Sequence, residues 1–314
     1  MSIQFIEPLA RGFGRMKKAL FQPFDMKKWF VVGFTAFLAG LTDCNGHGGS
    51  GGKGNGGFDW EDFFSFPQRA WDWLLGNPGW FTLIIFGVLL LFMLMVVLTW
   101  LSSRGKFMFL DNVIHDGSRV SLPWREYRVE GNSLFLWSFV FGLIVTAVIF
   151  FYVIVSFSTL YGVYETAERE SALIMPVILM SLGLVALFLL AAYIHLLLRD
   201  FVVPIMYKYR ITAMNGWRRF LPLFSRHLFQ FIGYGLLVFF LVILVVIGVI
   251  VAGLLTCCIG FLLLVIPYIN SVLLLPITYT FRSFSVEFLE QFGPEYHLFP
   301  RDEAGGVNTT AASS

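Results

Sequence analysis

The sequence predicts an all-α polytopic membrane protein: a bundle of six transmembrane helices, the first one short, flanked by basic interfacial amphipathic helices. Three observations carry this. Hydrophobic residues make up 57% of the 314 residues and charged residues 13%, about half the charge of a soluble domain. Five stretches are apolar over about 20 residues, the length that spans hydrocarbon about 30 Å thick. The basic residues sort to alternate connecting segments. A mean hydropathy of +0.76 excludes disordered, collagen-like, disulfide-scaffold and nucleic-acid-binding classes for the chain as a whole.

Residues 1–25 form the first element, a basic interfacial helix. From Ile3 to Gln22 the apolar members Phe5, Ile6, Leu9, Phe13, Met16, Leu20 and Phe21 alternate with Arg11, Arg15, Lys17 and Lys18, a pattern that places a helix in the interface with its cations near lipid phosphates. Asp25 is positioned to cap the helix that follows.

The membrane domain, 26–285, holds spans near 27–41, 79–101, 133–160, 172–198, 231–255 and 259–279. The first has about 15 residues, roughly 22 Å at 1.5 Å per residue, so charge decides whether it crosses. If it does, only Lys53, Arg69 and Arg169 of the 22 Lys and Arg fall on the outer side, and both termini are cytoplasmic. If it does not, the bias nearly vanishes. The run from Met26 to Cys44 resembles a cleavable lipoprotein signal. It begins well inside the chain, however, and Asp43 stands where a small residue is needed before the cysteine, so an uncleaved span is expected.

Between the first two spans, 45–57 carries eight glycines and reads as a flexible linker. A phosphate-binding loop fails there, because Gly52-Lys53 is followed by Gly54 and the required upstream glycine is His47. Phe58–Leu75 mixes tryptophans with Asp59, Glu61, Asp62 and Asp72, as an outer interfacial helix does. The second span is expected to continue through Arg104–His115 and stop at Gly117. Lys18 precedes Gly33 by the spacing that separates Arg218 from Gly233, and Trp124-Arg125 gives a looser copy. These suggest three helical hairpins, each introduced by a basic interfacial helix. Residues 286–314 form a cytoplasmic tail, expected to be mostly disordered from 293.

Several phrases carry a family resemblance: Pro23-Phe24 through Trp29-Phe30, Ser103 through Asp111, Cys257-Cys258-Ile259-Gly260 with Pro267-Tyr268 and Leu275-Pro276, and Phe288 through Gly293. Over about residues 15–297 the chain resembles uncharacterised bacterial polytopic proteins similar to the membrane domain of some glycerophosphodiester phosphodiesterases. The resemblance implies the bacterial cytoplasmic (inner) membrane and no agreed activity. The phosphodiesterase barrel has no counterpart in this sequence, so no catalytic residue carries over.

Of the five histidines, none belongs to an HExxH motif, and paired CxxC and GxSxG motifs are absent. Asp111 and His115, four apart, share a helix face and could meet His195 and Asp200 at one membrane side as metal ligands; interfacial polar groups paired with basic loops is the plainer reading. Asn270, between Pro267 and Pro276, is the best polar candidate within a span. It could complete a solute site in a broken helix or simply bond a neighbouring helix. Cys44, Cys257 and Cys258 fall at the outer face, where an oxidising compartment permits a disulfide and free thiols are the plainer expectation. No acidic residue lies deep in a span, which argues against a cation-coupled pump.

The expected function is therefore non-enzymatic, without catalytic residues, metal or cofactor: a membrane scaffold or accessory protein engaging lipid, with anionic head groups at its cytoplasmic face. A protein partner or a second copy is a further expected contact, and nucleic acid is not. The alternatives are a transporter or channel for a small or lipid-like solute, and a membrane enzyme acting on lipid head groups.

Overall fold

In the computed structural model, residues 3–42, 60–166, 170–256, 260, 264 and 266–300 are described. They form helices and connecting turns, with no strand among them. The helices are α1 (Ile6–Phe21), α2 (Met26–Gly40), α3 (Trp60–Gly76), α4 (Pro78–Ile114), α5 (Ser121–Glu126), α6 (Arg128–Thr166), α7 (Ile174–Leu197), α8 (Val203–Tyr209), α9 (Ala213–Arg226), α10 (Leu228–Leu255), α11 (Pro267–Leu273) and α12 (Leu275–Glu290). A π-helical turn, Leu198–Val202, joins α7 to α8. Glycine-rich 45–57 and all three cysteines lie outside the described residues, and with them the disulfide expectation.

Four helices are long and apolar enough to cross a membrane: α4, α6, the continuous run Ile174–Tyr209, and α10. Their large side chains are uncovered, with Phe86 66% exposed, Phe150 67% and Leu182 64%. In water each such side chain would forfeit about 1.5–3 kcal/mol of burial; in hydrocarbon there is nothing to forfeit. The other two expected spans look different. α2 has 15 residues. The last is no single helix in its described part: α11 ends at Leu273, Leu274 leaves helical geometry at φ −86° and ψ 5°, and α12 continues well past Tyr279 to Glu290. Pro276, near the start of α12, has no N–H to give the preceding turn.

Several local expectations meet their physical cause. The Asp25 carboxylate accepts the Lys27 amide at 2.8 Å and so caps α2. α4 does continue past the apolar stretch, but its left-handed closing residue is Asp116, at φ 49°. Gly117 comes next, its N–H donating to the Asn112 carbonyl at 3.0 Å. α5 and α9 each precede a long helix, α6 and α10, whereas α1 precedes α2 of 15 residues and α3 intervenes before α4.

The chain divides into two units. The first draws on 1–40, 103–134 and 196–314. Within it α1 lies along α12, where a Cβ on Gly12 would stand 2.9 Å from the Phe284 amide nitrogen. Pro8 and Ala19 are buried on α1 as well. Small residues let two helix backbones approach closely. Of its apolar members, Met16 and Leu20 are buried, while Ile6, Phe13 and Phe21 are exposed. α2 meets α11, with Gly33 against Val272, and meets α4 at Gly105. Phe201, Phe220, Phe231, Tyr234 and Phe288 form an aromatic core.

The second unit draws on 41–102 and 135–195. There Phe64 of α3 is buried with Leu160 and Leu173, while Phe66, Trp71 and Trp73 of the same helix are exposed. α6 and α7 are tied by the Tyr152 hydroxyl, which donates to the Met180 carbonyl at 2.9 Å.

The tail departs from the disordered expectation over residues 294–300. The Glu290 carboxylate accepts the Leu298 and Phe299 amides at 2.6 and 2.8 Å. Phe299 is buried beneath the Arg15 guanidinium, 3.7 Å from its ring centre. Charge-assisted bonds of this kind are worth about 1.5–3 kcal/mol each. Glu290→Ala should therefore raise chymotryptic cleavage after Tyr296 about tenfold or more while leaving the melting of the helices nearly unchanged.

Candidate functional site

Besides buried Arg104 and Lys106, the first unit holds three groups of buried charge. In the first, Asp111 on α4 accepts the Tyr207 hydroxyl of α8 at 2.7 Å, and His115 Nδ1 stands 3.2 Å from the same carboxylate. Tyr207 stacks on Tyr127 at 4.7 Å, and Arg210 covers the other ring at 3.8 Å from its centre. Arg210 sits at φ 53° as the left-handed C-cap of α8, a conformation non-glycine residues seldom adopt. It pairs with Glu126 and stands 3.7 Å from Glu130. Burial pushes the Tyr127 phenol above its ordinary value, so it stays neutral beside the guanidinium.

The second group centres on Asp200, inside the π turn. Its carboxylate accepts Tyr234 at 2.9 Å and Arg199 at 2.9 Å, with Arg282 of α12 at 4.0 Å. The wider π turn adds a residue per turn in the segment that carries Asp200 into the core, where it is 3% exposed. In the third group Glu287 of α12 accepts Arg15 of α1 at 2.6 Å, with Arg11 at 3.9 Å.

Of the residues singled out in the sequence, Asp111 and His115 do come together, while Asp200 belongs to a different network. Half-buried His195 falls in the second unit. Among the described residues no three His, Cys, Asp or Glu side chains gather in a way that could hold a metal ion. Asn270 is half-buried on α11, which packs on α2, and its Oδ1 is enclosed without a hydrogen-bond partner. The sequence reading missed Tyr207, Tyr234, Arg282 and Glu287. One signal was available. Late in α4, in the π turn after α7 and within α12, an arginine is followed two or three residues later by a fully buried phenylalanine: Arg104 and Phe107, Arg199 and Phe201, Arg282 and Phe284.

The exposed charge of this unit is one-sided. Lys17, Lys18, Lys27, Arg125, Arg128, Arg218 and Arg226 are exposed and have no ion-pair partner among the described residues. They sit on α1, α5 and α9 or at the starts of α2 and α6. The carboxylates of Glu7, Asp116, Glu126, Asp200 and Glu287 are already paired. A cleft of about 370 Å³ opens between α1, α10 and α12, lined by apolar side chains and Thr280.

An all-helical chain with four helices of spanning length and uncovered apolar side chains is a helical membrane protein. The chain belongs to a family of unknown function (DUF7544), whose model matches residues 4–289. No curated protein and no solved structure matches it.

Proposed function

We propose that this is a six-span protein of the bacterial inner membrane, with both termini cytoplasmic, acting without catalysis as a scaffold or accessory that engages anionic lipid. The observation that carries the reading is the set of seven exposed, unpaired cations on α1, α5 and α9 and at the adjoining helix starts. Cations near an anionic leaflet contribute about 1 kcal/mol each, and none of these seven is neutralised internally. The topology draws support from the first unit, which gathers the segments that the charge bias assigns to the inside. The resemblance carried by Ser103–Asp111 and Phe288–Gly293 to the membrane domains of some glycerophosphodiester phosphodiesterases favours a bilayer role over a hydrolytic one.

Full-length protein purified from membranes is expected to carry phospholipid enriched in anionic species over the bulk membrane. Changing all seven cations to glutamine should remove the enrichment; unchanged lipid composition would sink the reading. For topology, alkaline phosphatase fused after Gly57 should be active and fused at Ser314 inactive. A transporter for a small or lipid-like solute is the second reading, favoured by the break at Leu274 and the enclosed Oδ1 of Asn270. The apolar lining of the cleft favours the first.

A further inference from the structure

We propose that the cleft between α1, α10 and α12 holds one acyl chain of an anionic phospholipid whose phosphate rests on Lys17. This deepens the lipid-engaging reading above and depends on it.

The cleft's lining includes Leu9 and Phe13 of α1, Leu244 of α10, and Ile277 and Phe281 of α12. Its polar side chain, Thr280, already donates its hydroxyl to the Pro276 carbonyl at 2.7 Å. A buried water needs two to four polar partners, and this cleft offers none that is free. The volume, about 370 Å³, lies within the range of small-molecule sites. An apolar space beside a spanning helix is in contact with lipid tails, and leaving it empty would forfeit dispersion contacts along its walls. Phe13 is 55% exposed and Leu244 65%, so the cleft is open at its lip and a chain can enter sideways. A chain within it touches three helices, where a lipid on a plain helix face touches one.

Charge selects the head group. Lys17 follows Phe13 by four residues and so stands beside it on α1. It is exposed and has no carboxylate partner, unlike Arg11 and Arg15, which are committed to Glu7 and Glu287. A lysine can lay its methylenes along apolar surface and keep its ammonium at the phosphate level. An apolar slot ending at a free cation fits an anionic phospholipid better than a neutral one, and better than a second copy of this basic face, which would oppose cation to cation.

The test uses full-length protein in detergent, titrated with phosphatidylglycerol or phosphatidylcholine and read by native mass spectrometry. Wild type should bind a first phosphatidylglycerol more tightly than phosphatidylcholine. Leu244→Trp, which fills the cleft from an exposed position, should abolish that first binding event for both lipids. Lys17→Gln should weaken phosphatidylglycerol about fivefold, the worth of one lysine at an anionic surface, and leave phosphatidylcholine unchanged. If wild type prefers phosphatidylglycerol but Leu244→Trp keeps the first event intact, the cleft proposal is overturned and the broader reading survives. Absence of any preference in wild type overturns the broader reading itself. Conversion of a dimer to a monomer by Leu244→Trp, with lipid binding unaltered, would make a second copy the occupant and overturn the proposal as well.

Discussion

Asp200→Ala is expected to cost about 3–5 kcal/mol of stability, the usual consequence of removing one partner from a buried charged group. The carboxylate is nearly inaccessible, and so are two groups it faces, the Tyr234 hydroxyl and the Arg282 guanidinium. Alanine would leave both in the core without their anion, together with Arg199, which is 2.9 Å from the carboxylate. Asp200→Asn keeps an acceptor for Tyr234 and should lose less. Unfolding by SDS in mixed micelles, followed by tryptophan fluorescence, measures the difference. A wild-type curve for Asp200→Ala would show that the network around the π turn contributes nothing to the fold.

Gly105→Ala is also expected to be destabilising, although it adds one methyl group. At this crossing a Cβ would lie 2.6 Å from the Ala39 nitrogen and 2.6 Å from the Leu38 carbonyl carbon. These are backbone atoms and cannot rotate away, so α2 and α4 must separate. Overpacking of this kind costs about 1–3 kcal/mol and occasionally more. Gly87 and Gly142 provide the comparison, since nothing lies within 4 Å of a Cβ at either. Alanine there should leave the unfolding midpoint unchanged or raise it slightly. Equal effects at all three positions would contradict the close crossing.

The long helices were legible because a run of apolar residues is a local signal. Asp25 as a cap and the proline-associated break were legible for the same reason: each acts on its own turn. Partners distant along the chain left no such trace. Arg15 and Glu287 are 272 residues apart, and neither periodicity nor composition couples them. The apolar members of α1 divide between a packed face, which takes Met16 and Leu20, and an outer face, which keeps Ile6, Phe13 and Phe21. Among the buried positions, Gly12 lets the helix axis approach α12 closely. The candidate polar cluster was half legible. Asp111 and His115 share a helix face by spacing alone, whereas Tyr207 reaches them only through the fold.

The pairing of α1 with α12 joins the first helix of the chain to the last long one, and that sets an order of events during synthesis. About 250 residues must be made after α1 leaves the ribosome before α12 exists, on the order of tens of seconds at about 5–20 residues per second. Throughout that interval the small-residue face of α1 has no partner, and Arg15 has no Glu287. On the proposed lipid-engaging role, the basic charge of the helix gives it somewhere to wait: an anionic leaflet would hold it until the closing helix arrives. A chain truncated before α12 should therefore leave α1 more accessible to protease than it is in the full-length protein, however well its earlier spans have inserted.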